Sequence, residues 1–324
     1  MIFPQQRLRR LRKNGAIRRL ISETTLNVDD FVAPLFVREG ITEAQPIASL
    51  PGVLQHTRDS LKAEIDEILN LGIPSIILFG IPAKKDATGT EAWNPNGIVQ
   101  QAIADCKSVA GDDLVIISDL CVDEYTDHGH CGVVKDDGSV DNDLTLDLYK
   151  KIAVAQANAG TDVIAPSGMM DGQVAAIRQA LDQNENLEIP ILAYSAKYAS
   201  SLYGPFREAA NVTLENSDRK SYQQDWRNKR EAMNEIKADL NEGADMIMVK
   251  PAITYLDIIA QAREITDVPI GAYHVSGEYS MIKAAGEKGW IDEKQVAIEQ
   301  LTAIKRSGAN FILTYFAKEI APCL

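Results

Sequence analysis

Two lysines stand at the ends of apolar runs, where amine chemistry is possible. In "DMIMVKP" Lys250 closes an apolar stretch, and Pro251 prevents immediate passage into helix. In "ILAYSAK" Lys197 follows a second such run. Lysine is rarely buried without a partner, so one placed here lays its stem along a polar rim, pairs with an acid, or acts as a nucleophile. At an ordinary pKa near 10.4, only about 0.04% of lysine is neutral at pH 7. Burial or a nearby cation lowers that pKa to roughly 7–8, where about 10–50% is free amine able to form a Schiff base with a ketone. Two such lysines in one site depress each other and titrate as a unit. The implied substrate is a carbonyl compound.

A second constellation lies in "SDLCVDEYTDHGHCG", where Cys121, Asp123 and Cys131 follow a C-x-D-x7-C spacing with His128 and His130 between them. Two thiolates and a carboxylate suit zinc with a fourth position open, and sulfur ligands disfavour magnesium. The competing reading is two buried cysteines packed as small hydrophobes. Arg207 in "YGPFRE" and Arg219 in "SDRKSYQ" are candidate bidentate carboxylate ligands. Ser276 and Tyr315 offer hydroxyls that either contact an anion or satisfy backbone groups.

These residues need a scaffold that gathers strand ends. Eight short apolar runs, at 31–37, 75–79, 114–118, 162–165, 190–194, 245–249, 269–273 and 311–315, alternate with stretches of helical spacing. Leu61, Ile65, Ile68 and Leu69 mark one helical stripe, and Leu144, Leu148, Ile152, Val154 and Ala155 mark another. Gly72, Gly160 and Gly243 stand where helices should end. Most runs lack alternation, as expected for strands covered on both faces. Eight strand–helix units in 324 residues predict an α/β chain folded as a single (β/α)8 TIM barrel. A doubly wound sheet is disfavoured because no G-x-G-x-x-G turn follows the first strand. An N-terminal arm is expected over 1–28 and the catalytic barrel over 29–324. The long segments 123–142 and about 209–229 exceed ordinary loops, and the second reads as an active-site lid.

Composition is that of a globular chain: 45% hydrophobic, 24% charged, net charge −13. No apolar stretch approaches a membrane span, and no secretory signal is evident. Four cysteines do not make a disulfide scaffold, so a reducing, cytoplasmic setting is expected. Seven of the 33 basic residues precede Glu23, the first acid, which makes a basic arm on an acidic body. The body would repel phosphate backbones, so docking on a neighbouring subunit is favoured over nucleic-acid binding.

The motifs "MVKPA", "AYHVSGEYSMIKAA", "YSAKYASSLYGPFREA", "DRKSYQ" and "YTDHGHCG", with the opening "RLRRLRKNGAIRRLISET", make the whole chain resemble the porphobilinogen synthase (5-aminolevulinate dehydratase) family. The resemblance implies a hydro-lyase of tetrapyrrole and heme biosynthesis that condenses two 5-aminolevulinate molecules to porphobilinogen. It implies Schiff bases at Lys250 and Lys197, and Asp119 as an acid near the reacting amines. Ser276 and Tyr315 would hold one carboxylate, and Arg207 and Arg219 the other. It further implies a homo-octamer assembled through the arm, and an allosteric magnesium ligand at Glu235, whose bland alternative is a solvated helix-face glutamate. The zinc-dependent form of the family has three cysteines where this chain has Cys121, Asp123 and Cys131, and a form that does not depend on zinc replaces all three, so zinc with altered affinity is expected here first, magnesium second and no required metal third. Outside the family, an aldolase acting on one carbonyl substrate would need Lys250 but not both lysines. A metal-dependent hydrolase would need the cysteines but not Lys250.

Overall fold

The computed structural model describes residues 5–214 and 218–324. The first four residues of the expected arm and residues 215–217 of the expected lid lie outside the described residues. All eight expected strands form: β1 Phe31–Arg38, β2 Ser75–Ile81, β3 Val115–Leu120, β4 Val163–Pro166, β5 Leu192–Lys197, β6 Met246–Lys250, β7 Ile270–His274 and β8 Phe311–Thr314. They pair in parallel in the order β4-β3-β2-β1-β8-β7-β6-β5. A parallel bridge between Ile164 and Ile191 brings β4 to β5 and closes the ring. The fold is a (β/α)8 barrel, with two short antiparallel pairings added, Gln45–Pro46 with Leu54–His56 and Val133–Val134 with Val140–Asp141.

Strand composition follows from this closure. β2 and β5 are buried at every position, because the barrel interior covers one face and helices the other. The helix Arg58–Asn70 buries Leu61, Ile65 and Ile68 of the expected stripe and half-buries Leu69, behind a Thr57–Ser60 capping box. At its end and at two others, Gly72, Gly160 and Gly243 adopt φ of 72°, 97° and 105°, which side chains disfavour.

The second stripe is corrected. The helix Asn142–Ala159 turns Leu144 to solvent and buries Thr145, Leu148, Tyr149, Ile152, Ala153, Gln156 and Ala157. Hydrophobicity misled because two inward positions are polar and hydrogen-bonded. Thr145 accepts from the Val133 amide at 3.0 Å, and Gln156 accepts from Ser118 Oγ and donates to the Asp119 carbonyl, both at 2.8 Å.

The arm contains a 3-10 turn, Leu8–Arg12, and a helix, Gly15–Leu20, whose Asn14 side chain accepts from the Ile17 amide. Neither element buries a residue, and Leu8, Leu11, Leu20 and Ile21 are exposed. Among the described residues no helix is long and apolar enough to cross a membrane, and all four cysteines are free thiols.

One close approach fixes the geometry at the mouth. The helix Ser276–Glu287 begins against the segment Ser201–Ala209, so tightly that a Cβ on Gly277 would lie 2.5 Å from the Leu202 carbonyl oxygen. Ser276 Oγ sits in the same contact, accepting from the Phe206 amide at 3.0 Å and donating to the Leu202 carbonyl at 3.3 Å. A backbone neighbour cannot swing aside, so Gly277→Ala should destabilise the protein by about 1–3 kcal/mol. Calorimetry should show a melting temperature lowered by several degrees, and an unchanged melt would refute the contact.

Candidate active site

Lys197 and Lys250 end adjacent strands and are Cα partners across the β5–β6 ladder. Both are buried, 4% and 5% exposed. Four residues of β5, Ala193 to Ala196, lie opposite three of β6, Ile247 to Val249, so β5 carries a bulge. The extra residue resets alternation and lets Tyr194 and Lys197, three apart, share one face. The Tyr194 ring lies 5.6 Å from Lys197 Nζ and 5.1 Å from Lys250 Nζ. Tyr203, Phe206 and Tyr273 complete an aromatic cage around the Lys250 amine at 5.4, 5.1 and 4.3 Å. Among the described residues no carboxylate comes within ion-pair distance of either amine. Burial, and then the charge of Lys197, bring the Lys250 pKa down to about 7, where roughly half the amine is neutral at pH 7.

The strand ends beside the lysines form one hydrogen-bonded chain. Lys197 Nζ donates to the Ser167 carbonyl at 2.6 Å, and Ser167 Oγ donates to Asp119 Oδ2 at 3.0 Å. Burial raises Asp119 to about 6 although both lysines pull the other way, so it exchanges a proton near neutrality. Asp119 Oδ1 and Tyr194 Oη are buried without a hydrogen-bond partner. Ser167, Tyr194 and Gln156, which holds the Asp119 backbone, are site residues that sequence reasoning missed. Only Tyr194 had a visible signal, three residues before Lys197, and it was masked by its ordinary place in an apolar strand.

Cys121, Asp123 and Cys131 converge, with one ligand atom from each lying within 4.8 Å of the others, all buried. Burial pushes the Cys121 thiol well up. Cys131 is drawn down against the cost of burial by Cys121 and the Arg219 guanidinium. Against the same cost, Arg219 holds Asp123 well below the carboxylate range through an ion pair of 2.8 Å. Two soft donors and one ionised carboxylate in a buried cluster fit zinc. The histidines between them do not join the cluster. His128 Nε2 is 3.1 Å from the Ala87 carbonyl, and His130 Nδ1 is 3.1 Å from Tyr222 Oη.

The remaining expected residues divide by position. Arg219, 8% exposed, reaches the triad from the lid segment and also donates to the Gly129 carbonyl at 2.7 Å. The guanidinium of half-buried Arg207 has no hydrogen-bonding or ionic partner among the described residues, and its pKa is lowered by burial and by the charge of Arg219. The two guanidiniums therefore repel each other. Tyr315 Oη lies 3.2 Å from Tyr273 Oη, at the rim of the Lys250 cage. Ser276 is occupied with the backbone contacts already described. Glu235 is elsewhere, on the helix Lys229–Glu242, in a cleft of about 300 Å³ that also presents Asp171 and Glu231. Burial and these acids raise its pKa.

A family model described as delta-aminolevulinic acid dehydratase matches residues 5–323. The delta-aminolevulinic acid dehydratase of Streptomyces coelicolor is 56% identical over 324 residues, covering 99% of this chain and 98% of that one. The Synechocystis enzyme of the same name is 54% identical over 323 residues, covering 99% and 98%. The crystal structure of delta-aminolevulinic acid dehydratase (porphobilinogen synthase) from Toxoplasma gondii ME49, in complex with the reaction product porphobilinogen, superimposes with a TM-score of 0.97 at 43% identity. It covers 100% of this chain and 93% of that one.

The electrostatics of the lysine pair predict a pH profile. Borohydride trapping of a small ketone on Lys250 should rise about tenfold per pH unit below 7 and level off above it, because only the neutral amine adds. Lys197→Met removes the neighbouring charge and should move the midpoint upward. A midpoint near 10 in the wild type would contradict the depressed amine.

Proposed function

The chain belongs to the delta-aminolevulinic acid dehydratase family, and from that premise we propose that it is a porphobilinogen synthase, a lyase condensing two 5-aminolevulinate molecules to porphobilinogen with loss of two waters. The observation that carries the reading is the paired burial of two lysine amines in register, beside an arginine pair. Two ketones call for two amines, and two carboxylates call for two anion sites.

In this reading Lys250, the amine with the lowered pKa, forms a Schiff base with the first substrate, whose carboxylate meets Tyr315 and, once its hydroxyl turns from the Leu202 carbonyl, Ser276. Lys197 does the same for the second substrate, whose carboxylate meets Arg207 and Arg219. Each Schiff base draws electrons from the neighbouring carbon, so the C–C and C–N bonds between the two molecules form as the lysines leave. The two waters leave earlier, one as each ketone condenses with its lysine, and the lysine amines are the leaving groups when the new bonds form. Asp119, near neutrality in its pKa, takes and returns the protons. The aromatic cage excludes water from the Lys250 imine.

Cys121, Asp123 and Cys131 would hold zinc, which when bound supplies Lewis acidity beside the second substrate. Glu235 would take part in an allosteric magnesium site, and the exposed basic arm would bury its Leu8, Leu11 and Leu20 in a homo-octamer. No nucleic acid or membrane is needed, and a cytoplasmic setting suits the free thiols.

The deciding experiment strips the protein with a chelator and assays pyrrole formation from 5-aminolevulinate with zinc or magnesium added separately. Zinc should restore activity, whereas restoration by magnesium alone would demote the triad. Lys250→Ala and Lys197→Ala should each cost on the order of 10³-fold or more in kcat. Retained turnover in Lys197→Ala would point instead to an aldolase of one carbonyl substrate. Folded protein that makes no pyrrole with any metal would overturn the proposal.

A further inference from the structure

Asp123 stands in two constellations at once. Its carboxylate is one vertex of the buried triad, and its Oδ2 pairs with Arg219 Nη2 at 2.8 Å. Both side chains are nearly inaccessible, 4% and 7% exposed. Arg219 is one of the two guanidiniums of the proposed carboxylate site, and its Nε is buried without a hydrogen-bond partner. One ion pair therefore bridges the group that attracts a cation and the group that attracts an anion.

We propose that the Asp123–Arg219 pair couples metal binding at the triad to carboxylate binding at the arginines, each ligand strengthening the other. The inference rests on the proposed function of the site. A divalent cation drawn to Asp123 neutralises the partner of Arg219 and repels the guanidinium, leaving a buried positive charge in need of an anion. A ligand carboxylate supplies that anion. In the other direction, a carboxylate on Arg219 competes with Asp123 for the guanidinium and releases the Asp123 oxygen towards the cation. Linkage requires the two effects to be equal in size. Asp123 is in this sense a positioning residue for Arg219 as well as a metal ligand.

The test uses full-length protein, zinc and porphobilinogen, a stable ligand carrying two carboxylates. Zinc affinity is measured by competition with a chromogenic chelator, with and without saturating porphobilinogen, in the wild type, Asp123→Asn and Arg219→Gln. Porphobilinogen should raise wild-type zinc affinity by roughly tenfold, within the usual range of coupling, and zinc should raise porphobilinogen affinity by the same factor. In either variant the factor should fall towards one while two thiolates still bind zinc, a result that general destabilisation would not give. The two variants break the pair from opposite ends, so a folding failure in one leaves the other to decide. Wild-type protein that makes pyrrole but shows no coupling, or the same coupling in a folded variant, overturns this inference and leaves the proposed function standing. Wild-type protein that neither makes pyrrole nor binds porphobilinogen overturns both.

Discussion

Seating Lys197 and Lys250 as Cα partners on neighbouring strands forces two amines into one dry space, and the surrounding residues answer that electrostatic cost. Two ammonium ions there would repel each other with little solvent to screen them. Ion pairing would relieve the repulsion but fix both amines as cations. The site instead surrounds Lys250 with aromatic faces, which tolerate a cation without fixing it. Lys197 is tied to a neutral carbonyl, and the nearest acid, Asp119, is itself raised towards neutrality. Proton content is thereby left adjustable near pH 7.

The barrel supplies the rigidity this balance needs. Lys250 and Lys197 extend from strand ends whose backbones are hydrogen-bonded to each other, and Ser167 at the end of β4 links Lys197 to Asp119. The lid segment is fastened to the same rim: the Gln224 amide donates to the Lys197 carbonyl at 3.1 Å, and Gln224 Nε2 donates to the Ser195 carbonyl at 3.0 Å. Tyr222 accepts from the Cys131 amide at 3.3 Å, which carries the connection on to the loop of the Cys121, Asp123 and Cys131 triad. The lysines, the segment around Tyr222 and Gln224 and the triad are thus parts of one packed rim.

The charges of the triad follow a different logic. Two cysteines and an aspartate, buried together, would be unstable as three anions. The Cys121 thiol keeps its proton, while Arg219 balances Asp123 and helps draw Cys131 down. Tyr149 seals the cluster from behind, its hydroxyl donating to the Cys131 carbonyl at 2.6 Å. Gly168 makes that possible, since a Cβ there would fall 1.6 Å from the Tyr149 hydroxyl.

Much of this was legible in the residues alone. Strand burial on two faces writes itself as unbroken apolar runs, so all eight strands, and the lysines ending two of them, could be read from local pattern. The C-x-D-x7-C spacing was also visible, because its three residues lie within one loop. What escaped depends on register and on polar groups facing inward. The β5 bulge that turns Tyr194 towards both amines, the inward Gln156 that displaced the expected helix stripe, and the histidines turned from the triad have no local signature. The Asp123–Arg219 pair joins residues 96 positions apart. A sequence determines which groups a chain carries and which segments must be buried. Only closure of the barrel decides which of those groups share a space, and the charge each carries there depends on neighbours that tertiary packing alone supplies.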